Sequence, residues 1–275
     1  VPAVGAATLT PEHAIGVFDS GVGGLTVLDE CLAQLPAEDF IYFGDTAWFP
    51  YGDRSDAQLR ARAELIAGWL IDRGVKTIVI ACNTATAAAL THLQTHLDVP
   101  VIGVMSSEAH AAVQTTRNRR IGLLATEATV RSGSYERMIH AHDAGVELVS
   151  VACPRLAPAI QNGDPFDERI VEMVREYTAP LRARQVDTVI LGCTHYPLVE
   201  RLLRRNLPNT RLIKSGEELA RELGESLARK GLLRDQAREG HYRFVCSGDP
   251  ATFQALGTRF LQMPLGDIEQ VELTA

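Results

Sequence analysis

Residues 181–202, LRARQVDTVILGCTHYPLVERL, can be laid over residues 70–90, LIDRGVKTIVIACNTATAAAL, without a gap. Leu, Arg, Val, Thr, a run of three apolar residues and a cysteine coincide, so Cys193 has a counterpart in Cys82. A cysteine that closes an apolar run is ordinarily packing, because Cys behaves as a small hydrophobe. The repetition of the whole local pattern weakens that reading. A second echo lies upstream of each cysteine. IGVFDS (15–20) and IGLLAT (121–126) are both short apolar runs ending in a small polar residue before a helix-compatible segment. The separation from Ile15 to Cys82 nearly equals that from Ile121 to Cys193, so the chain reads as an internal duplication.

Around these echoes, short apolar runs alternate with helix-like segments: HAIGVF, DFIYFG, TIVIAC, VPVIGV, RIGLLA, VELVSVAC, TVILGC and TRLIKS. Near-continuous apolar runs indicate parallel strands covered on both faces, and the βαβ rhythm places helices there. The expected fold is α/β: two pseudo-symmetric parallel-sheet domains with the active site in the cleft between them. The boundary falls near residues 104–108. The first domain takes residues 1–105 and the second 106–212. The tail, 213–275, carries an amphipathic helix GEELARELGESLARKG, a strand HYRFVCSG and a last helix ATFQALGTRFL, and is expected to complete the first domain. In such folds ligands bind beyond the carboxyl ends of the strands. The unusual residues stand there: Asp19-Ser20, Gly44-Asp45-Thr46, Cys82-Asn83-Thr84 and Cys193-Thr194-His195.

Composition sets outer limits. A chain of 275 residues with 46% hydrophobic content can bury one large or two modest cores. A net charge of −7 argues against a general nucleic-acid binder, and RNRR (117–120) and RLLRRN (201–206) read as solvated surface. Five cysteines (31, 82, 153, 193, 246), odd in number and without CxxC spacing, give neither a disulfide framework nor a ribbon-type zinc site and point to the reducing cytoplasm. The leading VPAVGAATLTPEHA lacks a basic n-region, and no apolar run approaches the roughly 20 residues of a membrane helix. Neither a membrane nor a nucleic acid is an expected partner.

Each candidate motif has a plainer alternative. DSGVGG (19–24) lacks the full spacing of a phosphate loop, so its glycines read as a tight strand-to-helix turn that leaves Asp19 and Ser20 facing a ligand. Zinc on Cys82, Cys193 and His195 would rest on three ligands from two domains. A Cys–His hydrolytic pair would leave Cys82 without a task. Cys31, Cys153 and Cys246 read as core. Inversion of a carbon centre, by contrast, needs an acid and a base on opposite faces, exchanging roles for the reverse reaction. Thiols suit both roles, with a pKa of about 8.5 that a helix N-terminus can lower, and both cysteines stand at expected strand-to-helix junctions. A pyridoxal-phosphate route fits less well. Of the three lysines (76, 214, 230), none lies at a strand's carboxyl end beside a phosphate loop, so no cofactor and no metal are expected.

GVFDSGVGGLTVL, YFGDTAWFPYGDRS, IACNTATA, LATEATVRSGSYE and LGCTHYPL together resemble bacterial glutamate racemases, of the cofactor-independent aspartate/glutamate racemase superfamily. The resemblance runs from about Ile15 to Asp249. It implies an isomerase that interconverts L- and D-glutamate and supplies D-glutamate for peptidoglycan, and a homodimer is expected. It places Cys82 and Cys193 as the two acid/bases, with Asp19 beside Cys82 and His195 beside Cys193 assisting. It implies substrate contacts from Asp19, Ser20, Tyr51, Gly52, Asn83, Thr84, Thr194 and His195. Asp45 comes near the site, and Thr126 and Thr129 are further candidates. Ser20, Asn83 and Thr84 also suit helix caps, a role compatible with a carboxylate over the helix N-terminus.

The chain departs from that pattern in three places. Gln161 in AIQNG stands where an acidic residue is usual, Met105-Ser106-Ser107 replaces E-P-G, and Lys214 replaces an acidic residue before Ser-Gly. Two other classes compete. A two-domain binding protein would keep the cleft without needing both thiols, and an aspartate or hydantoin racemase would keep the thiols and change the substrate.

Overall fold

The computed structural model describes residues 9–163, 167–235 and 237–274. Most of the leading segment read above for a targeting signal therefore lies outside the described residues, as do the outermost residues assigned to the first domain. The strands are β1 (Ala14–Asp19), β2 (Phe40–Gly44), β3 (Val75–Ile80), β4 (Val101–Gly103), β5 (Arg120–Ala125), β6 (Glu147–Ala152), β7 (Thr188–Gly192), β8 (Arg211–Ile213), β9 (Tyr242–Cys246) and β10 (Ile268–Gln270). The helices are α1 (Leu25–Gln34), α2 (Asp56–Ile71), α3 (Asn83–His96), α4 (Val104–Thr115), α5 (Glu127–Arg131), α6 (Ser134–His142), α7 (Leu156–Asn162), α8 (Glu168–Ala183), α9 (Glu200–Asn206), α10 (Glu217–Arg229) and α11 (Pro250–Leu261).

Two parallel sheets result, ordered β10-β9-β2-β1-β3-β4 and β6-β5-β7-β8. The order β2-β1-β3-β4 in one is the order β6-β5-β7-β8 in the other. The register repeats as well: Ile15 lies opposite Thr77, and Ile121 opposite Thr188. These are the residues that the two sequence echoes align. Each copy also enters its cysteine strand through a left-handed residue, Gly74 at φ +73° and Gln185 at φ +53°. Glycine takes that conformation freely, and glutamine must be held in it by its surroundings.

The apolar runs form strands because they are covered on both faces. Every residue of β2, β3 and β7 is buried, and all of β1 after Ala14. Polar residues mark the helix starts. Ser55 makes a capping box with Gln58 before α2, and Asp249 accepts the Thr252 N–H before α11. Helix α10 buries Leu219, Ala220, Leu223 and Leu227 along one stripe, worth about 1.5–3 kcal/mol for each leucine. From the tail, β9 pairs with β2, Phe40 opposite Tyr242, and β10 pairs with β9. The sequence reading missed β10, whose IEQ offers one apolar side chain and no alternation long enough to register.

Candidate active site

The carboxyl ends of β1, β3 and β7 meet at one narrow cleft of about 30 Å³, room for a water molecule or two. Cys82 and Cys193 both line it. So do Ser20, Tyr51, Gly52, Asn83, Thr84, Thr194 and His195, together with Phe49, Asp53, Thr126, Glu127, Pro154, Ala157 and Pro158. Asp19 does not line the cleft. It sits fully buried beneath, where its Oδ1 accepts the Gly21 N–H at 2.9 Å and its Oδ2 accepts the Thr194 hydroxyl at 3.3 Å.

The DSGVGG turn explains how these parts come so close. None of Gly21, Gly23 and Gly24 has a positive φ, so the backbone needs no glycine for its own sake. The demand is spatial. A Cβ on Gly23 would lie 2.4 Å from Thr194 Oγ1 and 2.5 Å from His195 Nδ1, and one on Gly24 would lie 2.5 Å from the Asp19 Cβ. Glycine at 23 lets the first half close on the second.

Cys82 is the N-cap of α3, and its Sγ accepts the Ala85 N–H at 3.5 Å. Cys193 departs from the expected strand-to-helix junction. It is followed by a 3-10 turn, Tyr196–Val199, with Pro197 in its first turn where a missing N–H is tolerated, and α9 starts only at Glu200. The expectation that helix N-termini lower the thiol pKa values also fails, since desolvation wins. Burial, then the nearby Asp19 charge, pushes Cys82 up to about 12, and burial pushes Cys193 well above the ordinary thiol range. Both rest as thiols.

The groups beside them are shifted too. Burial raises Asp19 to about 6 against the hydrogen bonds it accepts. His195 is packed between Phe49 and Phe260, with ring centroids 5.4 and 5.3 Å away. Burial, then the Arg259 charge, lowers it to about 3. Its Nε2 lies 2.9 Å from Gln161 Oε1 and its Nδ1 lies 3.8 Å from Cys193 Sγ. With the Gln161 oxygen as acceptor, Nε2 carries the hydrogen and Nδ1 turns its lone pair toward the thiol. The amide at position 161 thus reaches His195 without bringing a charge.

Thr84 Oγ1 lies 2.9 Å from Thr126 Oγ1 and 3.2 Å from Thr129 Oγ1, a hydroxyl cluster beside the N-terminus of α3. Tyr51 and Gly52 occupy a 3-10 turn held from behind by Asp45. That carboxylate is fully buried, accepts Tyr51 OH at 2.6 Å and Ser247 OH at 2.7 Å, and is paired through both oxygens with Arg62 at 2.7 and 2.9 Å. Asp45 therefore supports the turn and does not face the cleft. Arg62, in the middle of α2, carried no sequence signal apart from being a charge among apolar neighbours.

Sequence reasoning also missed a carboxylate. Glu108 is buried on α4, and burial raises it to about 7. It accepts hydrogen bonds from Tyr135 OH, Ser215 OH and, at 2.9 Å, Asn83 Nδ2. The signal was available: Val104, Glu108 and Ala112 form an i, i+4, i+8 stripe that is otherwise apolar. Among the described residues, no cluster of three or more His, Cys, Asp or Glu side chains is arranged to hold a metal ion, and no helix is long and apolar enough to cross a membrane.

A duplicated pair of parallel sheets that brings one thiol each to a shared cleft is the framework of an isomerase, and comparison with known proteins agrees. The model of the family described as Asp/Glu/Hydantoin racemase matches residues 15–223. The glutamate racemase of Geobacter metallireducens is 44% identical over 266 residues, covering 96% of this chain and 98% of that protein. The structure of glutamate racemase isoform RacE1 from Bacillus anthracis superposes with a TM-score of 0.92 at 38% identity, covering 96% of this chain and 98% of that one. That of glutamate racemase from Francisella tularensis in complex with D-glutamate gives 0.90 at 34% identity, with the same coverage. The chain belongs to the Asp/Glu/hydantoin racemase family.

Proposed function

We propose that this isomerase interconverts L- and D-glutamate by proton transfer at Cα between two bases, Cys82 and Cys193. The observation that carries the reading is the pair of thiols delivered by equivalent strands of a duplicated chain to one cleft. In one direction a thiolate takes the Cα proton, becoming a thiol, and the carbanion takes the proton of the opposite thiol, leaving a thiolate there. The reverse direction exchanges the roles.

Because both thiols are protonated at rest, each needs a partner to release its proton. Asp19 serves Cys82, and His195, through Nδ1, serves Cys193. A substrate ammonium entering the buried cleft offsets part of the cost of a buried thiolate. The α-carboxylate sits at the N-terminus of α3, where unpaired N–H groups and the Thr84 hydroxyl favour an anion. Ser20, Tyr51, Gly52, Asn83, Thr194 and His195 supply the remaining contacts. A cleft this narrow must widen to admit glutamate.

Three further features support the reading. The catalytic thiols belong to a set of five free cysteines, which suits the cytoplasm. None of the three lysines lines the cleft, which suits chemistry without pyridoxal phosphate. The relatives' names give glutamate, and supply of D-glutamate for peptidoglycan and cell shape is the role proposed with it. A homodimer belongs to the same proposal and is read by sedimentation velocity.

The test is loss of optical activity from L-glutamate with the purified protein and no added cofactor. It should be accompanied by solvent deuterium at Cα, in a panel that includes aspartate and a hydantoin. Glutamate should react fastest. Activity on another member of the panel alone, or only after adding pyridoxal phosphate or a divalent metal, would overturn the proposal.

A further inference from the structure

Asn83 lines the cleft, yet both hydrogens of its amide point away from it. Nδ2 donates to Glu108 at 2.9 Å and to Tyr135 OH at 2.8 Å, and neither of those residues lines the cleft. The orientation is set by chemistry. An ionised carboxylate has only acceptor sites, so the amide edge facing Glu108 must be the NH2 edge. Tyr135 gives its own hydrogen to Glu108 and is left as an acceptor for Asn83. Asn83 Oδ1 is consequently buried without a partner among the described residues, although the side chain is only 2% exposed. A buried carbonyl left unpaired is costly, so a donor is owed there.

The donor available in a bound amino acid is its ammonium group. We propose that Glu108 is a positioning residue for the substrate's ammonium: with Tyr135 it turns the Asn83 amide so that Oδ1 faces the cleft and accepts an ammonium hydrogen. This rests on the amino-acid racemase reading and names the group that sets one of its contacts. The placement in the chain adds weight. Glu108 stands on α4, between β4 of the first sheet and β5 of the second. Ser215 stands where the chain leaves the second sheet, Tyr135 on α6, and Asn83 at the start of α3. One carboxylate thus ties both passages between the sheets to a residue of the cleft. Three donated hydrogen bonds suit its ionised form. Because burial raises it to about 7, the assays belong at pH 8 or above.

The experiment compares glutamate with glutarate, the same dicarboxylate without the ammonium. In Glu108→Gln the KM for glutamate should rise roughly tenfold, the scale of a lost hydrogen bond to a charged group, with a smaller fall in kcat. The inhibition constant of glutarate should stay within about twofold. Asn83→Ala should give the same selective loss, and adding Glu108→Gln to it should change nothing further. A Glu108→Gln variant that weakens glutarate as much as glutamate, or that moves neither, overturns the proposal. If Glu108→Gln does not fold, Tyr135→Phe, which removes one hydroxyl and leaves the carboxylate, carries the same comparison. Wild-type protein that leaves glutamate optically unchanged would instead refute the glutamate reading. The split is then measured with the amino acid of the panel that does racemise and its deaminated counterpart.

Discussion

Cys82 and Cys193 end equivalent strands at equivalent registers, yet the groups that stand beside them are of different kinds. Cys82 caps a fourteen-residue helix, takes a backbone N–H, and has beneath it a buried acid whose pKa of about 6 leaves it anionic at neutral pH. Cys193 enters a proline-containing turn and faces an imidazole that stays neutral down to about pH 3. Duplication accounts for the common part: two thiols, two strand ends, one cleft. The difference lies in a few loop side chains, and the DSGVGG turn, which has no copy in the second half, supplies one of them. Equivalence in the fold therefore does not mean equivalence in proton traffic.

The largest effect should come from removing either thiol. Cys82→Ser and Cys193→Ser should each lower racemisation by about 10³-fold or more, since a serine hydroxyl is a far weaker acid and cannot serve as the base. What survives should be one-sided. With an analogue carrying a leaving group on the carbon next to Cα, each variant should eliminate it from one enantiomer only, with opposite preferences. Which cysteine serves which enantiomer is left to the measurement. Matching preferences, or substantial racemisation in one variant, would break the comparison by making one thiol structural.

Next in size is Gly23→Ala. The added methyl meets Thr194 Oγ1 and His195 Nδ1 at distances no real side chain keeps, so the Cys193 side must shift. Displacements of this kind cost about 10²-fold in rate when reacting groups lose their alignment. Elimination by the Cys82→Ser variant, which relies on Cys193, should suffer more than elimination by Cys193→Ser. Equal losses would place the damage in the turn as a whole.

Much of this is legible in the sequence. The strands showed because buried parallel strands are continuous apolar runs, and the duplication showed because both copies kept Thr, the apolar triplet and Cys in register. The site residues showed where they stand at strand ends within distinctive motifs. What stayed hidden depends on three-dimensional neighbours. Glu108 marks itself in the sequence only as a charge on an otherwise apolar helix stripe, and its place in the site depends on Asn83, Tyr135 and Ser215 converging on it. The thiol pKa values reverse the expected direction because a helix terminus was weighed without the burial that opposes it. Asp45 stands near the site as expected, but its support of Tyr51 from behind is hidden in sequence because its partner Arg62 is 17 residues away on another element.

The smallest predicted effect isolates the two assisting groups and depends on pH. L- and D-glutamate have equal free energy, so kcat/KM must be the same in both directions at every pH, and racemisation conceals any asymmetry. Elimination by the one-thiol variants is free of that constraint. In Cys193→Ser, Cys82 is the only base, and Asp19 must be ionised to take its proton. With Asp19 raised to about 6, the elimination rate should fall about tenfold per unit as pH drops below that value. In Cys82→Ser, Cys193 passes its proton to His195, which is already neutral at pH 7 and stays so to about 3. With the analogue saturating, so that the contact set by Glu108 acts mainly on KM and not on the rate read here, its rate should therefore be nearly flat from about pH 7 to 5. Adding Asp19→Asn to Cys193→Ser should remove the acid limb along with most of the rate, and adding it to Cys82→Ser should leave the flat profile flat. Elimination rates from pH 5 to 8 in the four proteins decide the matter. A limb at the same pH in both single variants would assign it to a group shared by the two sides, Glu108 being the buried carboxyl nearest neutrality, and would sink the division of labour between Asp19 and His195.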